Sequence, residues 1–94
     1  MYFVPGFDPV ASHSTCKDFL ANGTFIGRTE NVRKCYKKCK EESKLFSFGI
    51  NGTNRCVNGS CECFCHKNVT KEKTCNQTKQ TSLNLYKVIE PGKS

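Results

Sequence analysis

The stretch CVNGSCECFCH, residues 56–66, packs four of the chain's eight cysteines and one of its two histidines into eleven residues. Asn58-Gly59 at its centre is a strong two-residue turn signal, because the tightest hairpin turns need positive φ and so favour Asn and Gly. Arg55-Cys56 and Cys61–Cys65 then form the two arms of a hairpin. Side chains alternate across an extended arm, so Cys61, Cys63 and Cys65 share one face.

The residues upstream offer that face a partner. TENVRKCYKKCKEESKL, residues 29–45, reads as the one good helix, covering about 30–45. Thr29 is placed to N-cap it, Glu30 suits its positive end, and Lys40 and Lys44 suit its negative end. Val32, Cys35 and Cys39 recur at i, i+3, i+7 and make one face. A helix laid across the strand could join it through two parallel bridges, leaving one strand cysteine for Cys75 and Cys16 for Cys56. Each bridge contributes roughly 2–4 kcal/mol by restricting the unfolded chain. That matters in a chain of 94 residues, which buries only a small core.

Metal binding and catalysis are weaker readings of the same cluster. Structural zinc favours C-x2-C knuckles, and C-x-C-x-C along a strand is a different spacing. A nucleophilic cysteine needs a free thiolate beside an oriented imidazole, and eight thiols form four bridges. His13 and His66 read as exposed polar residues. No Gly-rich phosphate loop follows a strand, and the carboxylates show no paired arrangement. The chain therefore reads as non-enzymatic, with no catalytic residue, metal or cofactor expected.

The compartment can be argued apart from the cysteines. Asn22, Asn51, Asn58, Asn68 and Asn76 each begin an N-x-Ser/Thr acceptor tripeptide for glycosylation. Random placement of eight Asn against 15 Ser and Thr in this chain would give roughly one match. Cysteine at about 9% lies in the range of disulfide scaffolds of oxidising compartments. The opening MYFVPGFDPV lacks a basic segment followed by an apolar run, so a mature secreted chain is expected. Nothing approaches the ~18 apolar residues of a membrane span, and stable membrane insertion is not expected.

Three segments follow. Residues 1–15 read as an apolar N-terminal arm whose Pro5 and Pro9 disfavour helix. Tyr2, Phe3 and Phe7 would anchor either the arm on the domain or a partner on the arm. Residues 16–75 are the stapled domain. Within it, Phe19-Leu20 and Phe25-Ile26 flank Asn22-Gly23 as a first hairpin, and Phe46, Phe48 and Ile50 alternate as on a half-buried strand. Residues 76–94 are polar, with one strand expected at 83–89. The fold class is thus a small disulfide-rich α+β domain, one short helix bridged to a small antiparallel sheet by four disulfides. A net charge of +7 favours acidic partners. Nucleic acid is the least expected of them in a secreted protein. Arg33, Lys34, Lys37 and Lys38 on the helix would form the docking face.

Cys35-x3-Cys39, Cys61-x-Cys63 and the turn Gly59-Ser60-Cys61 resemble the cysteine-stabilised αβ scaffold of arthropod defensins and scorpion toxins. That resemblance covers about residues 16–65. It implies the pairing Cys16–Cys56, Cys35–Cys61 and Cys39–Cys63, leaving Cys65–Cys75. A second resemblance lies in Cys16-Lys-Asp-Phe-Leu, Cys35-Tyr-Lys-Lys-Cys39, Asn51-Gly-Thr-Asn-Arg-Cys56 and Asn58-Gly-Ser-Cys61. These are similar to the cysteine runs of tick salivary secreted proteins of the evasin-like and basic-tail groups. It implies a protein that binds and neutralises an extracellular host protein: a chemokine, a complement component or a clotting factor. The basic charge points to an acidic host protein or a glycosaminoglycan. The alternative expectation is a cationic antimicrobial or channel-blocking peptide.

Overall fold

A computed structural model describes residues 6–17, 24–67 and 75–89. In chain order they form β1 (Gly6–Ala11), β2 (Ser14–Cys16), β3 (Thr24–Thr29), α1 (Val32–Cys39), β4 (Leu45–Gly49), β5 (Cys56–Val57), β6 (Ser60–Cys65), β7 (Gln77–Lys79) and β8 (Leu83–Ile89). Every strand pair is antiparallel. The main sheet runs β1-β8-β4-β6-β3 with β5 beside β6, and β2 pairs with β7 in a second, two-stranded sheet. Among the described residues, one helix, antiparallel sheets and four disulfides make this a small disulfide-rich α+β fold.

The helix is shorter than the periodicity predicts, and both ends have local causes. Asn31, not Thr29, is its N-cap, with Oδ1 accepting from the Lys34 N–H at 2.9 Å. Thr29 instead closes β3 opposite Cys61, and its hydroxyl donates to the Asn31 carbonyl. At the other end the Cys39 carbonyl accepts from the Glu42 and Ser43 N–H groups at 3.0 and 2.9 Å and from the Ser43 hydroxyl at 3.1 Å. Those bonds end the helix in time for Leu45 to enter β4. An eight-residue helix is marginal in isolation, so its persistence rests on what its inner face touches: Cys35, Tyr36 and Cys39, all buried.

Strand β4 lies between β8 and β6, and all five of its residues are buried. Phe46 and Phe48 meet the helix side with Cys63 and Cys65. Leu45 faces the other way, toward Leu85, Val10 and the Cys16–Cys75 bridge. The alternation expected of a half-buried strand is absent because β2 and β7 add a layer that the local pattern does not announce.

From Gly6 onward the N-terminal segment docks on the domain, the first of its two readings, as an edge strand of the main sheet. β1 pairs with β8 from Gly6↔Ile89 to Ala11↔Leu85, with a slip between Pro9 and Ala11. An edge strand tolerates Pro9, which cannot donate to a ladder. Phe7 packs 5.3 Å from Tyr36, 5.8 Å from Phe46 and 5.6 Å from Tyr86, centroid to centroid. It is half-buried core, not an exposed anchor. Phe7→Ala should therefore cost about 2 kcal/mol, less than the full-burial range because one side stays open. Urea denaturation followed by tyrosine fluorescence checks this, and an unchanged midpoint would mean that β1 is not packed as described.

Of the hairpin expected across 16–28, the described residues include only the second arm: Phe25 and Ile26 lie in β3, which pairs with β6. Phe19, Leu20 and the Asn22-Gly23 turn lie outside the described residues, as do Tyr2 and Phe3. The second hairpin is present: Asn58 and Gly59 have φ of 53° and 83°, and Cys56 sits directly opposite Cys61.

That register changes the disulfides. The bridges are Cys16–Cys75, Cys35–Cys63, Cys39–Cys65 and Cys56–Cys61. The pairing implied by the defensin resemblance (Cys16–Cys56, Cys35–Cys61, Cys39–Cys63, Cys65–Cys75) is thus corrected at every bridge. Two parallel helix-to-strand bridges do form. One helical turn rises ~5.4 Å and two strand residues ~6.6 Å, so either Cys61/Cys63 or Cys63/Cys65 satisfies them. The hairpin decides, because Cys56 takes its cross-strand neighbour Cys61 and shifts the helix pairing one strand period along. Cys16 then meets Cys75 where β2 runs beside β7.

Candidate functional site: a sealed imidazole and two exposed faces

His66 follows β6, and its backbone N–H donates to the Leu45 carbonyl at 3.0 Å. Its side chain lies on the face of Ser60, Glu62 and Phe64, opposite the cysteines. There Nε2 is 2.6 Å from Ser47 Oγ, Ser47 Oγ is 2.8 Å from Thr15 Oγ1, and Thr15 Oγ1 is 3.5 Å from Nε2. A serine hydroxyl against an imidazole is the contact of a nucleophile and its base. Here all three residues are 0% exposed, so no substrate reaches them. Burial holds the imidazole at about 4, well below its ordinary range. Nδ1 has no hydrogen-bond partner among the described residues. The reading of His66 as an exposed polar residue is therefore corrected, and the trio ties β2, β4 and the end of β6 together. No sequence spacing announces it, since Thr15, Ser47 and His66 are brought together only by the sheet. His13 is different: it occupies the turn between β1 and β2 at φ 51°.

The Cys35, Cys39 and Cys63 sulfurs all lie within 4.8 Å of one another. Each is oxidised in a bridge, and a bridged sulfur is not the thiolate a metal requires. An open groove of about 420 Å³ runs between the start of α1 and the ends of β4 and β8. Three of its polar side chains are already engaged: Asn31 as the helix cap, Glu30 with Lys34, and Asn84 Oδ1 accepting from the His13 N–H at 2.9 Å.

Two exposed faces remain. On the first, β2 and β7 cover the main sheet over Leu45 and Leu85. They leave Phe25 and Val57 52% and 47% exposed. Phe25 pairs with Phe64 and Val57 with Ser60, so both belong to the face of His66. Between them, Glu62 accepts from Arg28 at 3.3 Å and from Arg55 at 2.7 Å. The Arg55 guanidinium lies over the Phe64 ring, 5.6 Å from its centroid. On the second face, α1 turns Arg33, Lys34, Lys37 and Lys38 outward, all exposed.

The acceptor asparagines Asn51, Asn58 and Asn76 are exposed in turns or irregular segments, whereas Asn22 and Asn68 lie outside the described residues. Among the described residues no helix is long and apolar enough to cross a membrane. Sequence reading missed the Phe25–Val57 face. Phe25 was legible only as a hairpin flank, and exposure of a strand side chain depends on which layer covers it. Comparison with protein-family models, with curated proteins and with solved structures finds no match to this chain.

Proposed function

We propose that this chain is a secreted, non-enzymatic binding protein that inhibits or sequesters an acidic extracellular host protein. The observation that carries the reading is the open sheet face. Phe25 and Val57, the exposed large hydrophobics among the described residues, share it with the half-exposed Arg28. Aromatic and Arg anchors supply most binding energy at protein interfaces. A scaffold with four bridges orders few groups on binding, which keeps the entropic cost low. Four disulfides accord with an oxidising compartment, and the exposed acceptor asparagines accord with a glycoprotein. This reading agrees in kind with the resemblance to tick salivary binding proteins. It moves the contact surface from the N-terminal aromatics to β3 and β5.

The test uses glycosylated protein from a secretory host, exposed to plasma and a chemokine panel, with mass spectrometry of what is retained. One saturable partner is expected. Against that partner, the double variant Phe25→Ser/Val57→Ser should bind about tenfold or more weakly. Unaltered affinity would remove this face from the proposal. No saturable partner, together with salt-sensitive vesicle leakage, would favour the cationic antimicrobial alternative.

A further inference from the structure

We propose that the outer face of α1 is a binding site for a sulfated glycosaminoglycan, separate from the Phe25–Val57 face and on the opposite side of the main sheet. The starting point is a sequence written against its own helix. Residues 32–39 carry four cations and no acid. Arg33 with Lys37, and Lys34 with Lys38, are like charges at i, i+4, an arrangement that destabilises a helix. Lys37 and Lys38 lie in the last turn, which favours cations, so only that like-charge spacing counts against them, whereas Arg33 and Lys34 sit in the first turn, where the helix dipole favours acids. Glu30 offsets one of them by pairing with Lys34. Among the described residues Arg33, Lys37 and Lys38 make no ion pair.

Folding does not require these cations. The inner face holds the helix through Cys35–Cys63, Cys39–Cys65 and the buried Tyr36. The outer positions were open to alternating charges that would stabilise the helix. A local rule broken without structural return marks a functional surface. The bridges in turn hold the repelling cations in place, so a ligand meets a preformed strip.

The chemistry of the strip selects the ligand. A protein interface needs an apolar core, and Arg33, Lys34, Lys37 and Lys38 enclose none. The strip is convex, with two rows of cations about one helical turn long, ~5.4 Å between neighbours in a row. A linear polymer of closely spaced sulfates matches it, because such binding draws on charge and released counterions rather than on shape. Of the acceptor asparagines among the described residues, Asn76 lies beside β7, whereas Asn51 lines the groove at the start of α1 with Glu30, Asn31 and Val32. Two sites on opposite faces would let one molecule stay on a cell surface or matrix while holding its protein partner. The glycan site does not depend on that partner's identity.

The experiment is titration of the full chain with a heparan sulfate octasaccharide at several salt concentrations, with unsulfated hyaluronan as the comparison polymer. Lys37→Glu/Lys38→Glu is set against Lys17→Glu/Lys79→Glu, which reverses two exposed lysines near β2 and β7. The two variants have the same net charge, so a purely non-specific attraction weakens equally in both. We expect heparan sulfate affinity to fall about tenfold or more in the helix variant, with the slope of log K against log salt reduced by about two. The control variant should stay within about twofold and hyaluronan should bind weakly throughout. Both variants should melt close to the parent: Lys17 and Lys79 are exposed, and in the helix variant the new acids at positions 37 and 38 pair with Arg33 and Lys34, which offsets the loss of cations from the last turn. Equal losses in the two variants, or equal binding of hyaluronan and heparan sulfate, would overturn the proposal.

Discussion

Replacing Cys35 and Cys63 together by alanine is expected to lower the unfolding free energy by about 3–4 kcal/mol, the loop-closure value for a bridge of this span. The bridge joins residues 28 apart in sequence and fixes the first turn of α1 to β6. Both sulfurs are completely buried, so their removal also leaves small voids in the main core. The same double replacement at Cys56 and Cys61, only five residues apart, should cost about 2 kcal/mol by the same relation. Urea unfolding of the two variants at neutral pH measures the difference. It also discriminates the pairing. If Cys35 were joined to Cys61, the Cys35/Cys63 variant would leave two unpartnered thiols in place of none, which thiol titration of the unfolded variant would count. Equal losses from both variants would contradict the loop-entropy account.

Between neutral pH and pH 4 the protein should lose about 3 kcal/mol through His66 alone. Burial depresses the folded imidazole to about 4, whereas the unfolded one titrates near 6.5. The neutral form is therefore the one that the fold accommodates. Its contribution is fully present above pH 6.5, declines as pH falls toward 4, and is gone below the folded value. The cause is geometric as well as dielectric. Ser47 and Thr15 offer hydroxyls on the Nε2 side only, and an added proton at Nδ1 would have no acceptor among the described residues. Denaturant titrations at pH 7 and pH 4 on the parent chain and on His66→Gln separate this from the carboxylates. The variant should be less stable at pH 7 and show a flatter pH profile. Parallel profiles would mean that His66 titrates normally and that the trio is not sealed.

Residues 56–66 and 29–45 together dictate much of the fold because their signals are short in range. Asn58-Gly59 can only turn tightly, Cys61, Cys63 and Cys65 can only share a face, and Cys35 and Cys39 are one helical turn apart. From those facts follow the second hairpin, the helix-to-strand bridges and the α+β class. The outward cations of α1 are legible for the same reason, since helical periodicity alone assigns their side. What the tertiary structure decided is everything that depends on a second layer or a distant strand. β4 is buried on both faces because β2 and β7, more than 25 residues away on either side, close over it. Phe7 is core because β8 draws β1 into the sheet. His66 is sealed because Ser47 and Thr15 arrive from two other strands. Cysteine spacing permits two bridge registers of nearly equal geometry, and the choice falls to the cross-strand contact of Cys56 with Cys61. Periodicity encodes which side of an element a residue takes, while the occupant of that side is set by long-range pairing.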